Sequence, residues 1–253
     1  MQDQIAAIIL AGGRGTRLNS TEVNKVSLPF NGKPIISYGV SLLQGLASRI
    51  IVVVGAYASS VKDALTDFPK TIYVTQQEQL GTGHAAQVGM EALVQSPPKY
   101  VLVGYGDHMM FYKPDRIRGL IAEHERKGAV VTFVTAMHEN PDELAWGRVE
   151  RGADGHVQDI VEQKDANEKQ RLIEELNAGF YCFNYTFLRD SLPHLTKSVV
   201  TGEYYLTELV KNACSQSLRV QAIPFPFEEV GIGVNASDEL TQSQKLHRDA
   251  ASQ

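Results

Sequence analysis

Five short runs of β-branched and apolar residues, at positions 5–10, 50–54, 72–74, 101–103 and 130–134, are spread along the first half of the chain with amphipathic segments between them. Runs this short and this apolar read as strands buried on both faces. Their alternation with helices predicts a mostly parallel sheet covered on either side. Pro34 starts one of those helices, followed by Ile35, Ile36, Val40, Leu43 and Leu46. A second helix is predicted from about His84 through Val88, Ala92 and Leu93. Ligands of such a sheet gather outside the carboxyl ends of its strands, so chemistry is sought in the loops that follow them.

After Pro141 the pattern changes. Shorter strands are predicted at 148–151, 157–161 and 180–183, interrupted by the polar stretch 163–170, as in an α+β lobe added to the sheet. A helix over 204–213 and a strand over 219–223 follow, and the polar end, 237–253, is predicted to be a terminal helix that frays. With 253 residues, 43% of them hydrophobic, the chain has enough material for a substantial core. Cys182 and Cys214 are too few for a disulfide framework or a zinc cage, and packing or a partly exposed thiol is the expected role. No run of about 18 apolar residues suggests a membrane span, and a cytoplasmic protein is expected. The balance of 24 basic against 29 acidic residues, net charge −5, argues against a broad nucleic-acid surface. It leaves room for a small anion, which needs one or two local cations and some backbone N–H groups.

The segment LAGGRGTRL, residues 10–18, comes directly after the first predicted strand. Its three glycines permit unusual backbone angles and close approach to a ligand, so its N–H groups are suited to cradling phosphates. A dinucleotide fingerprint starting at Gly13 would need a small residue where Leu18 stands. A P-loop would need Gly-Lys-Ser/Thr, which is absent. What this run does resemble, with Arg17 near its end, Lys25 after it and NGKP at 31–34, is the opening signature of the sugar nucleotidylyltransferases. QQEQLGTGHA at 76–85, YGD at 105–107, GRV at 147–149, VEQKDA at 161–166, ELNAG at 175–179, GEYYLTE at 202–208 and GVN at 233–235 follow in that family's order. Together they resemble the uridylyltransferase half of the bifunctional bacterial enzymes that make UDP-N-acetylglucosamine.

The resemblance implies an α/β fold with a Rossmann-like mixed, mostly parallel sheet of the nucleotide-diphospho-sugar transferase type. Residues 1–236 would form the nucleotidylyltransferase domain, with a nucleotide-binding part at 1–137 and a small α+β sugar-binding lobe at 138–236, followed by a helical tail at 237–253. It implies transfer of UMP from UTP to a sugar 1-phosphate, N-acetylglucosamine 1-phosphate above others, with release of pyrophosphate and with Mg²⁺ as cofactor. The nucleophile is already an anion, so no catalytic triad is needed. Alignment of two repelling anions and neutralisation of charge on the leaving group become the main tasks. Arg17, Lys25 and Asp107 are the implied catalytic residues, and Asp107 with Asn235 the implied metal ligands. Leu10, Ala11, Gly12, Gly13, Gln76, Gly81 and Thr82 are implied for the nucleotide. Tyr105, Gly106, Gly147, Glu162 and Asn177 are implied for the sugar. Two hard oxygen donors suit Mg²⁺, which takes few protein ligands.

Several neighbours are given plainer roles. His108 is not expected to bind metal in so oxygen-rich a site, and His84 is expected to pack or cap at a helix start. Lys164 is able either to pair with Glu162 or to reach a sugar phosphate, and GEYY either walls the sugar site or packs. Three departures from the family pattern stand out. Asn24 replaces the usual proline before Lys25, so the approach of Lys25 is expected to be less constrained. Trp146 replaces a common tyrosine at the edge of the sugar pocket. No hexapeptide repeat follows Asn235, so no left-handed β-helix domain is expected in these residues. Changed substrates on the same chemistry, or a non-catalytic sugar-nucleotide sensor, are the alternative functions. Keeping Arg17, Lys25, Asp107 and Asn235 together argues against a sensor.

Overall fold

The computed structural model of the chain describes residues 4–13 and 23–251. Its elements, in chain order, are β1 (Ile5–Ala11), β2 (Pro29–Phe30), β3 (Lys33–Pro34), α1 (Ile35–Gln44), β4 (Arg49–Val54), α2 (Ala58–Asp63), β5 (Ile72–Thr75), α3 (Thr82–Glu91) and β6 (Tyr100–Tyr105). They continue with α4 (Pro114–Lys127), β7 (Val131–Met137), β8 (Arg148–Arg151), β9 (Val157–Val161), α5 (Glu168–Arg171), β10 (Glu175–Asn184) and α6 (Tyr185–Ser191). The last are α7 (Glu208–Ser215), β11 (Val220–Pro224), α8 (Phe227–Val230) and α9 (Ser237–Ala251).

The main sheet runs β11-β7-β10-β6-β1-β4-β5, with the β8–β9 hairpin attached through β8 to β10. Pairings of β1 with β4 and β6, of β4 with β5, and of β7 with β11 are parallel, whereas β10 runs antiparallel to both β6 and β7. The sheet is therefore mixed and mostly parallel, as its sequence pattern predicts. Alternate side chains feed two separate cores. Ile5, Ala7, Ile9, Val52, Leu102 and Phe180 face α1 and α4, whose Val40, Leu43, Leu120 and Ile121 close that layer. Ala6, Ile8, Val53, Val103 and Phe183 face the opposite layer of α3, α6 and α7. Burial on both faces is why these strands are continuous apolar runs rather than alternating ones.

Two expectations change. Residues 180–183 are not a short strand of an added lobe but the end of ten-residue β10, which lies between β6 and β7. Its ladder with β7 shifts register between Asn177 and Tyr181, which splits the apolar pattern in the sequence. Strands on both sides of the division at residue 137 thus share one sheet, and the β8–β9 hairpin is what stands out from it. The terminal helix does not fray either: α9 docks on the β2–β3 hairpin. His247 meets the rings of Phe30, Tyr38 and Phe111 edge-on at 5.2–5.5 Å, and Ser243 Oγ donates to Ile232 O at 2.7 Å. Gln244 Nε2 donates to Pro29 O and Asn31 Nδ2 to Gln244 O, each at 3.1 Å. Among the described residues no helix is long and apolar enough to cross a membrane.

Candidate active site

At the carboxyl ends of β1 and β6, beside the amino-terminal part of the antiparallel β10, lies a cleft of about 660 Å³. Leu10, Ala11, Gly12 and Gly13 lead out of β1 into its wall, and Lys25 enters in a single 3₁₀ turn, Lys25–Ser27. Asp107 follows β6. Asn235 reaches the same place from the far end of the chain because Val234 N donates to Asp107 O at 3.0 Å. Glu239 Oε2 accepts from the N–H groups of Asn235 (2.6 Å) and Ala236 (3.0 Å), so α9 fixes that turn from behind. The Lys25 ammonium bonds to Asp107 Oδ2 and, at 2.7 Å, to Asn235 Oδ1. One cation therefore spans both predicted metal ligands. Among the described residues no group of three or more His, Cys, Asp or Glu is gathered to hold a metal. A carboxylate and a carboxamide that leave most positions open match the sparse, hard-oxygen demand of Mg²⁺.

On one side of this centre the wall carries Gln76, Gly81 and Thr82. Gln76 is buried and its Nε2 donates to Gly81 O at 3.1 Å. A Cβ on Gly12 would come within 2.6 Å of Gln76 Oε1, so a side chain there would push this amide aside. His84 Nδ1 lies 3.1 Å from Gln76 Nε2 and 3.0 Å from Glu78 O, and so braces the loop from the start of α3. Gly81, at φ 109°, precedes α3 and packs on Tyr204, whose N–H donates to Leu80 O and whose carbonyl accepts from Gly83 N, both at 2.8 Å. Thr82 Oγ1 accepts from Leu206 N at 3.0 Å. The backbone of Tyr204 and Leu206 thus holds this loop, while Glu203 is the member of the GEYY segment that lines the cleft.

On the other side are Tyr105, Gly147, Glu162 and Asn177. Asn177 Nδ2 donates to Tyr181 Oη at 2.6 Å, its Oδ1 accepts from Gly179 N at 3.3 Å, and its backbone N–H donates to Gly147 O at 2.8 Å. Glu162 Oε1 accepts from Thr207 Oγ1 at 2.8 Å, whereas Lys164 is exposed. Burial pushes the Glu162 carboxyl above its ordinary range, Asp165 and Glu203 push the same way, and the Thr207 hydrogen bond and Lys164 oppose them. Burial likewise raises the Tyr105 phenol and keeps it a neutral donor.

Among the sequence-predicted residues, all described ones line the cleft except Gly106. That glycine is buried behind the wall, where its N–H donates to Leu10 O at 2.9 Å and closes β6 against β1. Arg17 lies outside the described residues. His108 faces away from the oxygen pair: its ring is 4.5 Å from Trp146, and its Nε2 donates to Gly231 O at 3.2 Å. Burial lowers its pKa and keeps the imidazole neutral.

The described chain matches the Nucleotidyl transferase family model over residues 6–231. The chain belongs to the nucleotidyl transferase family. Curated relatives include the "Bifunctional protein GlmU" of Geobacter metallireducens, 38% identical over 245 residues, which cover 96% of this chain and 50% of that one. The protein of the same name from Geobacillus sp. is 38% identical over 244 residues, 96% of this chain and 52% of that one. The chain spans about half the length of the curated relatives it matches. Among solved structures, a putative glucose-1-phosphate thymidylyltransferase from Bacillus anthracis shares the fold with a TM-score of 0.79 at 19% identity, covering 97% of this chain and 96% of that one. An apo UDP-glucose pyrophosphorylase does so at 0.77 and 16%, covering 97% and 98%.

Two residues of this nucleotidyl transferase shape the cleft without having been predicted to. Asn24, read from the sequence as loosening Lys25, does the opposite: it is buried, and its side chain and backbone make six hydrogen bonds that join the strand exit, the turn carrying Lys25 and the loop after β4. Arg148, within GRV, is fully buried. Its guanidinium donates to Trp146 O (2.5 Å), Leu144 O (3.2 Å) and Pro141 O (2.9 Å), and reaches Asp142 Oδ1 at 3.1 Å. It thereby sets the loop that presents Trp146 and Gly147. A charged residue at the first, buried position of a strand is the signal that identifies it.

Proposed function

We propose that the cleft catalyses sugar-1-phosphate nucleotidyl transfer, UTP and N-acetylglucosamine 1-phosphate being the substrates and UDP-N-acetylglucosamine and pyrophosphate the products. The observation that carries this reading is the meeting of Lys25, Asp107 and Asn235 between two differently built halves of one cleft. On the nucleotide side, the Gln76 amide, tied to Gly81 O, would read a base edge, and the backbone of residues 10–13 would cradle the triphosphate. On the sugar side, the Glu162 carboxylate is an acceptor for hydroxyls, and the Asn177 and Gly147 backbone and amide groups frame the ring.

A non-bridging oxygen of the sugar phosphate forms a bond to the α-phosphorus. The bond from that phosphorus to the bridging oxygen breaks, and its electron pair leaves on pyrophosphate. No proton need move. Asp107 and Asn235 are the residues that would hold Mg²⁺, which would supply charge neutralisation at the phosphates when bound. Lys25 brings a further positive charge to the reacting phosphates, and Arg17 is assigned the leaving pyrophosphate through the family signature. The precise choice of uracil and N-acetylglucosamine rests on the order of motifs that resembles the bifunctional enzymes.

The test is pyrophosphate release across a grid of nucleoside triphosphates and hexose 1-phosphates with Mg²⁺. UTP with N-acetylglucosamine 1-phosphate is expected to give the highest kcat/KM. A different best pair would reassign the substrates, and no turnover with any pair would reject an enzyme in favour of a sensor.

A further inference from the structure

Asn24 stands at the point where the glycine loop, the turn carrying Lys25 and the loop after β4 meet. Its Nδ2 lies 3.1 Å from Ala11 O, 3.0 Å from Gly13 O and 3.0 Å from Ala56 O. Its Oδ1 accepts from Val26 N at 3.2 Å. Three acceptors on one side and an N–H on the other fix which end of the amide is nitrogen, and two protons serve three carbonyls. The backbone N–H of Asn24 donates to Ser60 Oγ at 2.9 Å. The loop after β4 is pressed against the same strand exit, since a Cβ on Gly55 would come within 2.4 Å of Gly12 O. Asn24 itself has φ −70° and ψ 141°, a φ that a proline ring would impose and a ψ that proline readily adopts. Hydrogen bonds hold it there instead.

We propose that Asn24 is a positioning residue that ties the nucleotide-cradling residues Ala11–Gly13 to Lys25, so that triphosphate contacts and the cation keep one mutual geometry. The side chain has two jobs: the Oδ1 caps the turn that begins with Lys25, and the Nδ2 gathers the carbonyls of Ala11, Gly13 and Ala56. Proline reproduces the backbone φ but offers neither the capping oxygen nor the amide donor. This inference rests on the reading of the cleft as a nucleotidyl-transfer site.

The two jobs separate experimentally. Asn24→Ser keeps a capping oxygen but removes the amide donor, and Asn24→Pro keeps the backbone angles but removes both. Affinity for UTP is measured by calorimetry with Mg²⁺ and does not depend on turnover; KM and kcat are measured by pyrophosphate release. Each variant is expected to bind UTP about tenfold more weakly, the effect of losing roughly one net hydrogen bond, and to raise the KM for UTP equally. The KM for the sugar phosphate stays within about twofold in both variants. Wild-type UTP affinity in either folded variant, or an equal rise in both KM values, would overturn the tie. If Asn24→Ser gives no cooperative melt, Asn24→Pro alone decides by the same affinity criterion. A wild-type protein that binds UTP but turns over no substrate pair rejects the proposed reaction, while the calorimetric comparison still judges Asn24.

Discussion

Burial in the cleft wall opposes the ionisation of Glu162, and that has a consequence for pH. Because its pKa is raised on folding, the folded state holds this proton at pH values where the unfolded chain has lost it. The group's contribution to stability therefore falls as pH rises from the ordinary value of 4.5 through the raised one. Binding runs the other way, since the ionised carboxylate is the better acceptor for sugar hydroxyls. Apparent affinity for the sugar phosphate is expected to fall as pH is lowered through that window. The substrate phosphate has its own titration, at about pH 6, so the informative comparison is with Glu162→Gln. That variant should weaken sugar-phosphate KM by about tenfold at neutral pH and lose the enzyme's share of the pH dependence, which KM profiles of the two proteins would display. Parallel profiles would show that Glu162 does not meet the sugar.

The element on which the nucleotide half depends is the loop entering α3. Gly81 has φ 109°, and a Cβ there would come within 2.4 Å of Tyr204 O, a backbone atom that is itself bonded to Gly83 N. Gly81→Ala is thus expected to destabilise the fold by about 1–3 kcal/mol, read from denaturant unfolding, and to raise the KM for UTP more than that for the sugar phosphate. An unchanged midpoint would show that the loop relaxes freely. This loop was legible in the sequence because its glycines and Gln76 sit in an ordered motif, as was β1 because its burial on both faces leaves an unbroken apolar run. Asn24 and Arg148 were not assigned their roles, for a physical reason. Their partners are main-chain carbonyls of Ala11, Gly13, Ala56, Pro141, Leu144 and Trp146, and a carbonyl acceptor has no residue signature. Strand β10 was read too short because Asn177 and Gly179, which face the cleft, interrupt its apolar pattern. The docking of α9 was hidden in a polar segment that offers only Leu240 and Leu246 as apolar contacts and relies for the rest on His247 and Ser243.

For the whole molecule, one sheet sets the distance between the two halves of the cleft. The glycine loop leaves β1, Asp107 leaves the adjacent β6, and Asn177 lies on β10 beside it, so three functions are mounted on three neighbouring strands. The chain end returns through α9 to secure Asn235 against Asp107. Both halves of the cleft meet at Asp107, and the proposed chemistry stands or falls with its carboxylate. The direct measurement is pyrophosphate release by Asp107→Ala with saturating UTP, N-acetylglucosamine 1-phosphate and Mg²⁺, alongside its thermal melt. The account predicts a cooperative melt and a fall in kcat of about 100-fold or more, as for loss of a group that stabilises charge in the transition state. A folded Asp107→Ala protein that releases pyrophosphate at the wild-type rate would contradict it.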